Sequence, residues 1–183
     1  MKSLKSSLQE RIVFLRLRSG DADAFVFFYD KYVKSIYRYV LIKVSAKEVA
    51  EDLTQDIFLK TWQHLVDKKQ IANFQSFVFR IARNTVIDYY RQNNRQELPL
   101  EFLPEELEQA PADHSHSFHR SLDLEKLLQD LRKLKPEYQE VIYLRYVEDL
   151  SIDDIAQIVD MQKSAVRVLL HRALSKLREI TKL

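Results

Sequence analysis

A single glycine in 183 residues is the strongest constraint on what this chain can fold into. Tight hairpins and phosphate-cradling loops use backbone angles that glycine adopts at little steric cost, so folds built on either are excluded. The one glycine, Gly20, follows a run of helix formers and reads as a C-terminal helix stop. Of the four prolines, Pro99, Pro104 and Pro111 cluster in one segment and Pro136 stands apart. The rest is rich in Leu, Lys, Glu, Gln and Arg, so the sequence predicts an all-α protein. A hydrophobic share of 46% supports a core, and 31% charged residues argue against wholesale disorder. There is no cysteine, hence no disulfide framework and no thiolate zinc site, which is compatible with a reducing compartment. No apolar run approaches the roughly 18 residues of a spanning helix. Gln9, Glu10 and Arg11 interrupt what would have to be the apolar stretch of a signal peptide, so a cytoplasmic location is expected.

The net charge of +2 conceals three blocks. Residues 1–96 hold 17 basic and 10 acidic side chains, residues 97–125 hold 1 and 8, and residues 126–183 hold 11 and 9. From Lys163 onward six basic residues face only Glu179. A basic, acidic, basic order suits two surfaces for anions separated by a repelling linker, although solvated faces would also produce it.

The segment from Gln96 to Ser121 breaks every periodicity with its three prolines, acidic cluster and His/Ser tract. It reads as a flexible linker between two helical domains, 1–95 and 122–183. His114, His116 and His119 could meet a metal, but no carboxylate or cysteine geometry stands behind them, so neither a metal nor a cofactor is expected. Four helices precede the linker. The first covers about residues 7–18. Asp21 or Asp23 starts a second, with Phe25, Phe28, Tyr29, Tyr32, Val33, Ile36, Tyr37 and Val40 at helical spacing. Ser45 and Glu48 have the spacing of a capping box for a third helix reaching Val66, with Leu53, Ile57, Trp62 and Leu65 as its apolar stripe. Asn73 can cap a fourth, FQSFVFRIARNTVIDYYR, which continues towards Arg95. Beyond the linker, Leu122 to Leu134 forms one helix and Pro136 opens another at its favoured first-turn position.

In the last third, Ser151 with Asp154 caps a short helix, IDDIAQIV. Asp160, Met161 and Gln162 then separate it from a longer basic helix. This is the helix-turn-helix pattern. Ala156 supplies the small residue at the crossing, and Ile152, Ile155, Val159, Met161, Val166 and Leu170 would lock the angle. Gln162, Lys163, Ser164, Arg167, His171 and Arg172 stand where a recognition helix meets DNA. A three-helix bundle with a basic tail is the plainer alternative.

Taken together, AEDLTQDIFLKTW (50–62), FQSFVFRIARNTVIDYYR (74–91) and SIDDIAQIVDMQKSAVRVLLHRALSKLR (151–178) resemble, in order and spacing, the extracytoplasmic-function (group IV) sigma factors of bacterial RNA polymerase. IANFQSFVFRIARN most resembles the iron-citrate-type branch of that sigma-70 family, often paired with membrane-anchored anti-sigma factors. The resemblance implies a region 2 bundle, a linker in place of a folded third domain, and a region 4 helix-turn-helix domain. It implies a promoter-specificity subunit that binds core polymerase and opens promoter DNA, with no catalysis of its own. Paired carboxylates such as Asp153 and Asp154 fit the preference of acidic residues for helix N-termini.

Glu51, Asp52, Gln55, Asp56 and Leu59 share one helix face, and the resemblance implies that this face docks on the clamp coiled coil of the polymerase's largest subunit. On the fourth helix Phe74, Phe77, Val78, Ile81 and Thr85 form one stripe, and Arg80, Arg83, Asn84, Ile87 and Arg91 another. The first is core by its spacing. The second could follow a phosphate backbone, with Lys68, Lys69, Gln70 and Asn73 adding donors from the preceding loop. By resemblance this surface holds the −10 element and captures an unpaired base. Asp88 reads as a structural partner of a neighbouring arginine. Region 4 departs from the family pattern: Asp160, Met161, Gln162 and Ala165 replace a usual glycine, apolar residue, serine and threonine. Val168 and Leu169 stand where a serine and an arginine are common, so weak or unusual −35 recognition is expected, or contact with a protein partner or thymine methyls. The free chain is expected to close on itself, the acidic linker against the basic domains. The competing reading is a transcriptional regulator that uses only the helix-turn-helix and is not a polymerase subunit.

Overall fold

The computed structural model describes residues 2–44, 46–67, 71, 73–92, 130, 131 and 133–181, with side chains from Glu10 onward. All regular structure among the described residues is helical. Helix α1 spans Lys2–Arg18, five residues longer at its start than the periodicity suggests. It ends at Gly20, whose φ of +91° is the left-handed geometry that favours glycine. Asp21 then caps α2 (Ala22–Val44), its Oδ1 accepting from the Asp23 N–H at 3.0 Å and the Ala24 N–H at 3.4 Å. Arg16 closes the corner with an ion pair to Asp21 at 2.7 Å.

Helix α3 spans Lys47–Val66. Its N-cap is Ala46, with no side-chain cap bond, so the expected Ser45–Glu48 capping box does not start this helix; Ser45 itself lies outside the described residues. Helix α4 (Phe74–Gln92) is capped as expected, the Asn73 Oδ1 accepting from the Gln75 N–H at 2.9 Å. The bundle core is aromatic. Phe28 stacks on Phe74 with centroids 4.4 Å apart, and Phe25 packs on Trp62 at 5.0 Å. Phe58, not singled out by the periodicity, is buried between Phe25 and Tyr29. Thr54 and Thr61 are buried without loss because their hydroxyls donate to the Ala50 and Ile57 carbonyls at 2.6 and 2.7 Å.

The expected Leu122–Leu134 helix lies mostly outside the described residues; its end is helical at Asp130 and Leu131, and Leu131 and Leu134 are buried. Pro136 opens α5 (Pro136–Ile142) at N1, and the chain continues into a wide π turn over Tyr143–Val147. Helix α6 (Ile152–Val159) has the expected cap, with the Asp154 N–H donating to Ser151 Oγ at 3.1 Å. Asp160 ends it in the left-handed region, φ 55°, and α7 (Lys163–Thr181) follows. Ile155, Ala156, Val159, Val166 and Leu170 are buried at the crossing and Ile152 is half-buried. Met161 does not lock the angle as expected: the left-handed turn at Asp160 carries it outward, and it is 40% exposed.

The two helical units are in contact. Helix α4 packs against α6, and one hydrophobic cluster runs from the bundle into α5, α6 and α7. Tyr39 of α2 lies between Phe79 of α4 and Tyr143 of the π turn, at centroid distances of 5.4 and 5.9 Å.

Candidate nucleic-acid interface

Helix α3 turns Glu51, Asp52, Gln55 and Leu59 to solvent, with Asp56 half-buried beside them. Ile57 and Phe58, on the opposite side, anchor the helix in the core. Leu59 is 56% exposed within this acidic and amide face. Asp56 is paired with Lys60 at 2.7 Å, so Glu51 and Asp52 are the freer carboxylates for a basic partner.

Helix α4 separates its two stripes. Phe74, Phe77, Val78 and Thr85 are buried and Ile81 is half-buried, while Arg80, Asn84 and Arg91 are exposed. Arg80 lies over the Phe77 ring at 5.9 Å, and Arg91 is 3.8 Å from Asp88, the arginine neighbour expected of that carboxylate. Arg83 and Ile87 stand apart from the exposed three, both half-buried. Phe79 belongs to neither stripe: it is fully buried against Tyr39, on the side of α4 that meets the C-terminal unit. Lys68, Lys69 and Gln70 lie outside the described residues.

On α7 and the turn before it, Gln162, Lys163, Ser164, Arg167, His171 and Arg172 are all exposed. Lys163 pairs with Asp153 at 2.7 Å across the helix-turn-helix. The Val168–Leu169 pair divides: Val168 is 51% exposed, whereas Leu169 is half-buried against the core.

Sequence reasoning missed the polar centre between the two units. The Glu140 side chain of α5, 10% exposed, accepts from the Tyr39 hydroxyl at 2.5 Å, from Lys43 at 3.2 Å and from Arg83 at 3.4 Å. Burial pushes its carboxyl up, but Lys43, the Tyr39 hydroxyl and Arg83 outweigh burial and hold it below the ordinary glutamate value of 4.5. Glu148, after the π turn, shows the opposite balance. Burial raises its carboxyl above 4.5 against the opposing pull of Tyr143, Ser35 and Arg38. Further along, Asn73 Nδ2 donates to Asp154 Oδ1 at 3.3 Å, and the Gln75 side-chain amide donates to the Glu148 carbonyl at 2.9 Å. One signal was available. The stretch YQEVIYLRYV carries an apolar run, VIYL, too continuous for a surface helix, and a carboxylate directly beside it needs partners.

Comparison with known proteins agrees with this architecture. The model of Sigma-70 region 2 matches residues 28–96, and that of Sigma-70 region 4 matches residues 124–177. The ECF RNA polymerase sigma factor BldN of Streptomyces coelicolor is 34% identical over 169 residues, which cover 90% of this chain and 63% of BldN. The RNA polymerase sigma factor YlaC of Bacillus subtilis is 31% identical over 152 residues, covering 82% and 88%. In fold, the chain is similar to the sigma factor RpoE solved in complex with the anti-sigma factor NepR from Bartonella quintana. That likeness has a TM-score of 0.67 at 24% identity and covers 87% of this chain and 97% of that one. A two-unit helical fold with a helix-turn-helix and these matches defines the class: the chain belongs to the sigma-70 family of RNA polymerase sigma factors, in its extracytoplasmic-function branch.

Proposed function

We propose that this chain acts as an alternative sigma subunit, recruiting core RNA polymerase to specific promoters and opening their −10 DNA. The polymerase docks on α3 through Glu51, Asp52, Gln55, Asp56 and Leu59. The −10 element is held by Arg80, Arg83, Asn84 and Arg91 of α4 with Asn73, Lys68 and Lys69 before it. The −35 element is read by Gln162, Lys163, Ser164, Arg167, His171 and Arg172. Residues 1–95 and 122–183 form the two binding units and 96–121 the linker. The observation that carries this reading is the exposed acidic face of α3 in the same bundle as the exposed cationic stripe of α4. A regulator using only its helix-turn-helix has no use for either.

The chain does no chemistry itself and works in the cytoplasm, where polymerase and promoters are. An anti-sigma factor is its natural antagonist; the similarly folded sigma factor RpoE was solved in complex with one, NepR. The likeness of IANFQSFVFRIARN to the iron-citrate-type branch supports a membrane-anchored one.

The test is transcription in vitro with purified core polymerase on a genomic promoter library. Asp52→Ala with Gln55→Ala, both exposed, is expected to abolish transcription while leaving helicity intact. Transcription undiminished in that variant would give the function to the regulator reading.

A further inference from the structure

The carboxylates at the junction of the two units occupy two of the donors assigned to −10 DNA. Arg83 gives its Nε to Glu140 at 3.4 Å, and Asn73 gives its Nδ2 to Asp154 at 3.3 Å. Between them Gln75 is held by the Glu148 carbonyl at 2.9 Å. An Asp or Glu side chain presents an arginine with a pair of anionic oxygens, as a phosphate does. The contact continues across α2, where Lys43 and Tyr39 hold Glu140 and the Tyr143 hydroxyl donates to the Ser35 carbonyl at 3.4 Å.

Other surfaces stay open. Asp52, Gln55 and Leu59 of α3 are exposed in this arrangement, and so are Lys163, Arg167, His171 and Arg172 of α7. Along α4, Arg80, Asn84 and Arg91 remain exposed while Arg83 and the Asn73 amide are engaged.

We propose that region 4 acts as an intramolecular stand-in for DNA phosphate, with Glu140 and Asp154 clasping Arg83 and Asn73 so that the closed chain withholds part of its −10 surface. The proposal rests on the sigma reading for the meaning of that surface. It assigns the covering role to Glu140 and Asp154, folded residues of region 4, whereas the expected closure placed the acidic linker on the basic domains. Polymerase can dock on α3, and α7 can meet duplex DNA, before the clasp opens. Full engagement of single-stranded DNA along α4 requires opening, because Arg83 cannot serve Glu140 and a phosphate together. A chain closed about nine-tenths of the time would show about a tenfold loss of apparent affinity.

The test uses the full chain at low salt, with small-angle scattering for compactness and fluorescence anisotropy with a short random-sequence single-stranded DNA. Glu140→Gln keeps the volume and removes the charge; it is expected to expand the chain and tighten binding by about tenfold. Glu140→Lys combined with Lys43→Glu keeps the net charge but sets a cation beside Arg83, so it should leave Arg83 free and bind single-stranded DNA as tightly as Glu140→Gln; a return to wild-type affinity would overturn the clasp. Asp154→Ala, at the rim of the junction, is expected to tighten binding by a smaller factor, and circular dichroism shows whether each variant keeps its helices. Expansion without tighter binding, or no expansion in Glu140→Gln, would overturn the clasp. Should Glu140→Gln lose its helices, the Asp154→Ala arm decides, and unchanged affinity there overturns the proposal. Retention on core polymerase reads the sigma function separately: its loss in wild type and variants alike removes the sigma reading while the scattering still reports the clasp.

Discussion

Replacing Arg80 with alanine isolates one phosphate contact. Arg80 is exposed on α4 and forms no ion pair among the described residues; its guanidinium lies over the Phe77 ring at 5.9 Å. Removing it therefore subtracts one cation from the DNA surface and leaves no orphaned carboxylate. Each neutralised phosphate of a single strand contributes about 0.7 to the slope of log affinity against log salt, so the slope should fall by about 0.7. Losing one solvent-exposed ion pair of about 1 kcal/mol weakens binding about fivefold at low salt. Raising salt from about 50 to about 200 mM should then shrink the gap between wild type and variant by about 2.5-fold. Neighbouring positions behave differently, which makes the comparison sharp. Arg91→Ala loses the same slope but more affinity, because Asp88, 3.8 Å away, is left facing the DNA backbone. Arg83→Ala removes a clasp bond together with the phosphate contact, so part of its loss is offset. Anisotropy titrations of the three variants on single-stranded DNA across salt supply the measurement. Unchanged slopes in both Arg80→Ala and Arg91→Ala would remove the stripe from the DNA interface.

Two further substitutions read the C-terminal unit. Asp160 holds φ 55° at the end of α6, where a non-glycine residue is strained, so Asp160→Gly should stabilise the protein by about 0.5–1 kcal/mol, seen as a rise of a few degrees in thermal melting. Glu148 has a folded pKa raised above 4.5 by burial, so its contribution is favourable below that value and is lost as pH rises through the folded value. Glu148→Gln should therefore raise the melting temperature at neutral pH and bring no advantage in acid; an equal gain at both pH values would refute the burial argument. Glu140 has the opposite sign, with a folded pKa below 4.5, and its contribution persists at neutral pH and is lost only as pH falls through that depressed value.

What the sequence disclosed was local. The Asn73 cap, the Ser151–Asp154 cap, the Gly20 stop and the helix-turn-helix turn each depend on residues within four positions of one another, and each formed where expected. The α4 stripes were legible for the same reason, since a 3.6-residue period encodes which side chains share a face. What the sequence missed came from non-local contact and, at Met161, from turn geometry. Phe79 fell on neither stripe, and it is buried against Tyr39 on the side of α4 that meets the C-terminal unit. Arg83 was grouped with Arg80 by spacing, yet Glu140, 57 positions away, draws it half out of solvent. Met161 counted as apolar and therefore as core, but the turn geometry at Asp160 directs it outward.

The non-local misses share one cause, and it bears on function. A helix that carries both a bundle core and a DNA surface has two assigned faces, and the sequence pattern of α4 is exhausted by them. The structure adds a third contact, built from Phe79, Arg83 and Gln75. Arg83 lies at the boundary of the second and third. A purely structural interface would be better served there by an apolar side chain, because a buried ion pair gains little over well-packed hydrophobic residues. Glu140, Lys43 and Arg83 instead keep the contact polar and ionic. Such a contact loses much of its strength when one partner finds another charge, which an apolar contact would not do. An interface that must yield to a polyanion is therefore better built from a carboxylate on an arginine than from leucines.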